Sequence, residues 1–258
     1  MLDDGPMTVA TDTDLYARGA ATLLASWEAV ARGSAGASLA RLDGVAAAVF
    51  PSEPERAVYN NALLERDLRP AERAAAVEAM EAAYRAAGVE RYAAWAHESD
   101  AGMRAELSRR GYTIEEATRA MSMVLDARAP VGGAVEVEPA DWAEYLRYLR
   151  AFGLPADLLT GTDAAAFHVI AARVGGETVA TALAFDHDGD CGVFNRSTLA
   201  PARRRGIGTA LTARVLEDAA ARGCRTASLQ STPMAERVYA AAGFRDLGRF
   251  LEYGPPRS

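Results

Sequence analysis

The sequence predicts a mixed α/β fold (α+β, mixed sheet) laid down twice, as tandem halves over residues 1–130 and 131–258. Three observations carry that expectation. Strand-like runs alternate with helix-period runs, and three of them, Phe167–Arg173, Val179–Phe185 and Cys191–Leu199, follow one another through tight turns as an antiparallel meander does. A repeat links the halves: Ala57–Leu64 matches Gly192–Leu199 and Gly88 matches Gly223, both 135 residues apart, and Gly111-Tyr112 matches Gly243-Phe244 at a spacing of 132. Between the halves, Asp126–Gly133 carries Pro130 and Gly132-Gly133 and has the composition of a linker.

In chain order, a helix is expected at 12–32, capped by Thr11 or Thr13, with Leu15, Leu23, Leu24, Trp27 and Val30 at helical spacing before Gly33. Ser38–Leu42 and Val45–Phe50 flank Asp43-Gly44 as a hairpin. Ala57–Leu64 reads as a strand, Pro70–Ala87 as an alanine-rich helix, Tyr92–Ala96 as a strand, Ala101–Arg110 as a short helix and Tyr112–Leu125 as a strand. The second half opens with a short strand at Val135–Val137 and a helix at 141–152, whose apolar stripe holds Trp142, Tyr145, Leu146 and Leu149. A turn-rich stretch, Leu154–Thr162, leads into the meander. A helix running to Arg222, a strand at Thr226–Gln230 and an amphipathic helix at Pro233–Ala242 follow.

Composition sets limits on function. Half of the 258 residues are apolar and 24% are charged, the profile of a globular chain with ample core. The acidic start Met1-Leu-Asp-Asp differs from a signal peptide, and no apolar run approaches about 18 residues, so a cytoplasmic, membrane-free protein is expected. Net charge is −7, which disfavours general nucleic-acid binding. All 28 basic residues are arginine, so self-modification on lysine is ruled out. Cys191 and Cys224 lack metal-ligand spacing and read as buried thiols, and His97, His168 and His187 are too dispersed for a metal cluster. No metal is expected.

One stretch carries chemistry. After the strand ending at Leu199 come Arg203, Arg204, Arg205, Gly206, Ile207, Gly208 and Thr209, and then a helix. A glycine turn feeding a helix exposes unpaired N–H groups at the positive end of the macrodipole, and a Cβ there would hold a diphosphate away from the backbone. Flanking arginines add full charge. Lysine is missing after the second glycine, so this is not the nucleotide-binding P-loop, and a third glycine is missing for the dinucleotide fingerprint.

The pattern Arg203-x-x-Gly206-x-Gly208, a helix, the strand Thr226–Gln230 and Ala235-x-x-x-Tyr239-x-x-x-Gly243-Phe244 together resemble the GNAT N-acetyltransferase superfamily over residues 190–253. The resemblance implies two GNAT-like domains, each a mostly antiparallel twisted sheet flanked by helices. It implies acetyl-CoA, or another acyl-CoA, as co-substrate, with its pyrophosphate on the amides of Arg204 to Thr209 and its pantetheine arm along Ser197, Thr198 and Leu199. It implies that Tyr239 protonates the leaving thiolate. The acceptor is then the amine of a small molecule or an aminoacyl-type compound; a silent acyl-CoA-binding sensor is the alternative.

Other residues are weighed on their own. Asn195 and Arg196 are polar in an otherwise apolar strand and are candidates to face the acceptor, though Asn60 matches Asn195 in the first half. His168 is a conceivable base. Asp186, Asp188 and Asp190 read as a solvated hairpin tip. No base is assigned, and acceptor identity and oligomeric state stay open. The first half reads as degenerate and scaffolding: Gly206 falls on Ala71, Gly208 on Arg73 and Tyr239 on Leu107, and Glu72 would repel a diphosphate.

Overall fold

The computed structural model describes residues 10–55, 57–125 and 135–256; the expected linker and the acidic start lie outside these. Helix α1 (Asp12–Arg32) starts at Thr11, whose hydroxyl accepts from the Asp14 N–H while the Asp14 carboxylate accepts from the Thr11 N–H. Strands β1 (Ser38–Leu42) and β2 (Val45–Val49) form the expected hairpin. Strand β3 is limited to Asn61–Leu64, because residues 57–59 are turn. Helix α2 (Pro70–Ala86), β4 (Ala93–His97), α3 (Ala101–Arg109) and β5 (Thr113–Val124) complete the first half.

The second half repeats the plan with β6 (Val137–Pro139), α4 (Trp142–Phe152), β7 (Phe167–Val174), β8 (Glu177–His187) and β9 (Asp190–Thr198). Helix α5 (Ile207–Ala221), β10 (Thr226–Ser231), α6 (Glu236–Ala241) and β11 (Arg245–Gly254) follow. The repeat is visible in the backbone. Gly88 and Gly223 leave α2 and α5 at φ 68° and 92°, and Gly111 and Gly243 leave α3 and α6 at 85° and 100°. These left-handed exits are ones a Cβ would strain.

The 11 strands of the described residues form one sheet, ordered β1-β2-β3-β4-β11-β5-β10-β9-β8-β7-β6, mostly antiparallel. The halves interlock. Strand β11, from the end of the chain, lies between β4 and β5 of the first half, and β5 lies between β11 and β10. Each half therefore lends its last strand to the other.

Helices cover both faces. Leu211, Val215 and Ala219 of α5, with Tyr239 of α6, pack on one face of the second half, and Val77, Met80 and Tyr84 of α2 pack on the same face of the first. On the opposite face α1 and α4 join a core containing Ala25, Ala29, Tyr145 and Leu149, while Leu23 of α1 meets Trp95 and Phe250. Helix α1 sits close because Gly19 faces β10: a Cβ there would lie 2.9 Å from the Ser228 Cβ. At its end Gly33 meets Gly161 backbone to backbone, where a Cβ on Gly161 would fall 2.1 Å from the Gly33 carbonyl oxygen. The first helix of the chain thus roofs strands of both halves.

Two readings change. Asp190 is not a solvated tip residue: it is 1% exposed, and its carboxylate accepts from the hydroxyls of Thr226 and Ser228, both at 2.6 Å. Strand β11 has no counterpart among the expected elements. Cys191 and Cys224 are both buried free thiols.

Candidate active site

Strands β9 and β10 run parallel only at Asp190–Gly192 against Thr226–Ser228. Asp190, bonded to two β10 hydroxyls, fastens this end. Beyond it the strands have no register partners in each other, so the edge of β9 from Val193 onward opens toward β10. The first half closes at the matching place: Asn61–Leu63, which align with residues 196–198, pair with Ala93–Trp95.

A bulge interrupts β9 beside the opening. Thr181 pairs with Ser197 and Leu183 with Phe194, which leaves Asn195 and Arg196 facing Ala182 alone. Asn195 adopts φ 46°, a left-handed conformation that asparagine tolerates better than most residues. Helix α4 steadies the bulge: the Asn195 amide donates to the Tyr145 hydroxyl at 3.0 Å, and the Ser197 hydroxyl donates to that of Tyr148 at 3.1 Å. Leu199 has both backbone groups in use, its N–H on Val179 and its carbonyl receiving Ala202. The Thr198 carbonyl receives the Arg203 guanidinium at 3.0 Å.

The glycine turn sits at the end of this strand. Arg204 and Gly206 are left-handed, at φ 59° and 77°. Gly206 is the N-cap of α5, and no side chain caps the helix. The first amides of α5 are thus available to an anion, and Arg203, Arg204 and Arg205 stand exposed around them. Helix α2 differs. Its start carries Pro70, and the Glu72 carboxylate accepts from the Arg69 N–H at 3.0 Å and pairs with the Arg69 guanidinium.

Tyr239 is buried at 5% exposure, its ring edge-on to Phe244. Arg196 Nε donates to its hydroxyl oxygen at 2.7 Å, and the guanidinium lies 4.4 Å from the ring centroid. Arg196 also donates to the Gly208 carbonyl at 2.8 Å. A Cβ on Gly208 would sit 2.6 Å from that guanidinium, so this glycine makes room for Arg196. Burial raises the Tyr239 pKa and Arg196 opposes the rise. The phenol is neutral at pH 7, and its oxygen already accepts a bond, so its proton is free to point elsewhere.

A cavity of about 360 Å³ passes through the opening. Asn195 and Arg196 of β9, Gln230 of β10 and Tyr239 of α6 line it together with Trp27 of α1 and Trp95 of β4. Both halves therefore build its wall. His168 is not among the lining residues; it lies against Asp186, and burial and then Arg222 lower its pKa while Asp186 opposes them.

Sequence reasoning missed Glu252. This β11 residue lines the cavity and accepts from the Thr118 hydroxyl at 3.0 Å. Burial pushes its carboxyl up to about 7, with Glu116 adding to the rise and Thr118 opposing it. The one signal was a lone carboxylate inside the apolar run Phe250-Leu251-Glu252-Tyr253.

Residues 134–244 match the model of the acetyltransferase (GNAT) family. No curated protein matches the chain. Among solved structures, a GCN5-related N-acetyltransferase from Kribbella flavida is similar at 22% identity and TM-score 0.72, covering 98% of this chain and 97% of that one. A GCN5-related N-acetyltransferase from Sphaerobacter thermophilus is similar at 17% and 0.57, covering 97% and 96%. A tandem GNAT protein from the clavulanic acid biosynthesis pathway is similar at 15% and 0.55, covering 97% and 98%. At these identities the likeness is one of fold, and it spans both halves. The glycine turn and the parted strands thus fall within the segment, residues 134–244, that matches the GNAT acetyltransferase family, and the chain as a whole has the fold of solved GCN5-related and tandem GNAT proteins.

Proposed function

We propose that the chain is an acyl-CoA-dependent N-acyltransferase, most simply an acetyltransferase, that hands the acyl group directly to the amine of a small-molecule or aminoacyl-type acceptor. The observation that carries this reading is the uncapped start of α5 beside the β9–β10 opening, with Tyr239 on the cavity wall. In this reading residues 131–258 hold the acyl-CoA and residues 1–130 shape the acceptor cavity.

The amides of Arg204 to Thr209 would take the pyrophosphate, with Arg203, Arg204 and Arg205 supplying charge. Ser197 and Thr198 would meet the pantetheine arm at the open edge of β9. Leu199, its backbone groups already bonded, would end the strand and pack rather than pair. The bulge takes the Asn195 and Arg196 amides out of the β8 ladder, next to where a thioester carbonyl needs a donor. Tyr239 would give its proton to the departing sulfur, and Arg196 would steady the phenolate left behind.

Isothermal titration with acetyl-CoA, paired with an assay of thiol release over a set of amines, tests this reading. Binding with amine-dependent release is expected. Binding with no release by any amine would leave an acyl-CoA sensor, and no binding at millimolar acetyl-CoA ends the proposal.

A further inference from the structure

The cavity that opens between β9 and β10 has an uneven chemistry. Its wall on the α1 side is aromatic, built from Trp27, Phe50, Tyr59, Trp95, Phe167 and Phe194. Trp27 and Trp95 meet edge to face at 5.6 Å, and the Trp95 indole donates to Asn61 at 3.2 Å, so these walls are fixed. Among the lining residues only Arg196 and Glu252 carry ionisable acid or guanidinium groups. Arg196 already donates to Tyr239, Gly208 and Thr212. Glu252 has no cation beside it among the described residues; only the Thr118 hydroxyl bonds to it.

A carboxylate placed in such a cavity without a partner is costly to hold as an anion. A cation arriving from solution relieves that cost, and aromatic faces add to its attraction. A carboxylate-bearing acceptor would find no unengaged cation. A polycation would have to desolvate further charges against indole and phenyl rings. Resting on the N-acyltransferase reading, we propose that Glu252 anchors the ammonium group of an apolar monoamine and takes its proton before attack.

The step balances. The ammonium gives one proton to Glu252, and the freed lone pair forms the N–C bond to the thioester carbonyl carbon. The C–S bond breaks with its electron pair on sulfur, which takes the Tyr239 proton. The nitrogen passes its surplus proton through water to the Tyr239 oxygen, and Glu252 returns its own to solvent. One proton leaves per turnover.

Strand register sets where Glu252 stands. Phe250 packs with Trp95 under α1, and Glu252, two residues on, pairs in register with Trp95 on one side and Glu116 on the other. The groups facing it are Thr118 and Glu116 from β5 and Trp95 from β4, with Leu23, Ser26 and Trp27 of α1 on the same cavity wall; Arg196, Tyr59 and Tyr239 complete the ionisable set. Glu116 is the charge that acts on it directly, and burial is the larger influence. The ammonium would thus sit on the α1 side of the sheet, while Tyr239 stands on α6.

The test uses acetyl-CoA with phenethylamine, spermidine and glycine, following thiol release across pH, with acetyl-CoA affinity measured by calorimetry. Phenethylamine is expected to exceed the other two at least about tenfold in kcat/KM. Its kcat/KM should rise through a single ionisation near 7, unaffected by which apolar amine is used. Glu252→Gln should lower kcat/KM about 100-fold or more, leave acetyl-CoA affinity within about twofold, and move the ionisation to that of the amine itself. Thr118→Val, which removes the bond favouring the carboxylate, should shift the limb to higher pH and decides the matter if the glutamine variant does not fold. A Glu252→Gln enzyme within about threefold of wild type with the same limb overturns the inference while leaving the transferase reading intact. So does a preference for glycine or spermidine. Binding of acetyl-CoA without release by any amine removes both.

Discussion

Helices α2 and α5 occupy matching places in the two halves, yet they begin in opposite ways. Helix α5 starts from Gly206 in a left-handed turn with no side-chain cap, and its first amides face outward among arginines. Helix α2 starts from Pro70, with the Glu72 carboxylate folded back on the Arg69 N–H. The strands beside them follow suit. Strand β9 parts from β10 where β3 stays paired with β4. At the place of Tyr239 the first half has Leu107, fully buried in the core. Duplicated parts have thus been completed internally in one half and left open in the other. Unmet hydrogen-bonding capacity is what sets the proposed site in the second half apart from its counterpart in the first.

The sharpest way to break this contrast is to give α5 the cap that α2 has. Thr209 holds the third helical position of α5, as Glu72 does in α2. Thr209→Glu should fold, and its carboxylate should take up the amides and repel a diphosphate. Losing even one or two charge-assisted bonds predicts a fall of about 100-fold in acetyl-CoA affinity by calorimetry. Unchanged affinity would mean that the diphosphate lies elsewhere. Next in size, Tyr239→Phe removes the phenol that Leu107 lacks. Turnover should fall about 100-fold in the thiol-release assay, with acetyl-CoA affinity within about twofold; normal turnover would take the acid role from Tyr239.

Much of this contrast was legible from residue types alone. Glycine at 206 and 208 against Ala71 and Arg73, and tyrosine at 239 against Leu107, are local facts about what backbone and side chain can do. Long periodic helices such as α1 and α2 were legible for the same reason. Strand β11 was not, because Asp246, Gly248 and Arg249 interrupt its apolar pattern and a register shift sits between Asp246 and Arg249. Its placement between β4 and β5 depends on pairing across the two halves, which no local window contains. Asp190 and Glu252 share that difficulty. An acidic residue at a hairpin end or in a strand reads as solvated until its surroundings are known, and here hydroxyls from β10 and aromatic walls from the first half supply them.

Strand exchange also places the second half's Glu252 inside the first half's sheet, which gives a stability signature. The folded carboxyl titrates near 7 rather than at its ordinary 4.5, so the folded chain binds more protons than the unfolded one between these values. Stability from this group is complete below about 4.5 and is lost as pH rises through 7. Glu252→Gln should therefore match wild type at pH 4 and be the more stable protein at pH 8, by on the order of 2 kcal/mol. Thermal melts at the two pH values check the sign, and a variant less stable than wild type at pH 8 contradicts it.

The smallest expected effect comes from undoing the cap in the first half. Glu72 is half-buried, and Glu72→Ala frees the Arg69 N–H and removes the carboxylate from the start of α2. The melting temperature should drop slightly. Acetyl-CoA should still bind once per chain, because Ala71 and Arg73 replace the glycines and Asn61–Leu63 remain zipped to Ala93–Trp95. A second equivalent in calorimetry would show that one carboxylate alone silences the first half. A single equivalent, unchanged from wild type, would mean that the closed strand pair matters at least as much as the charge.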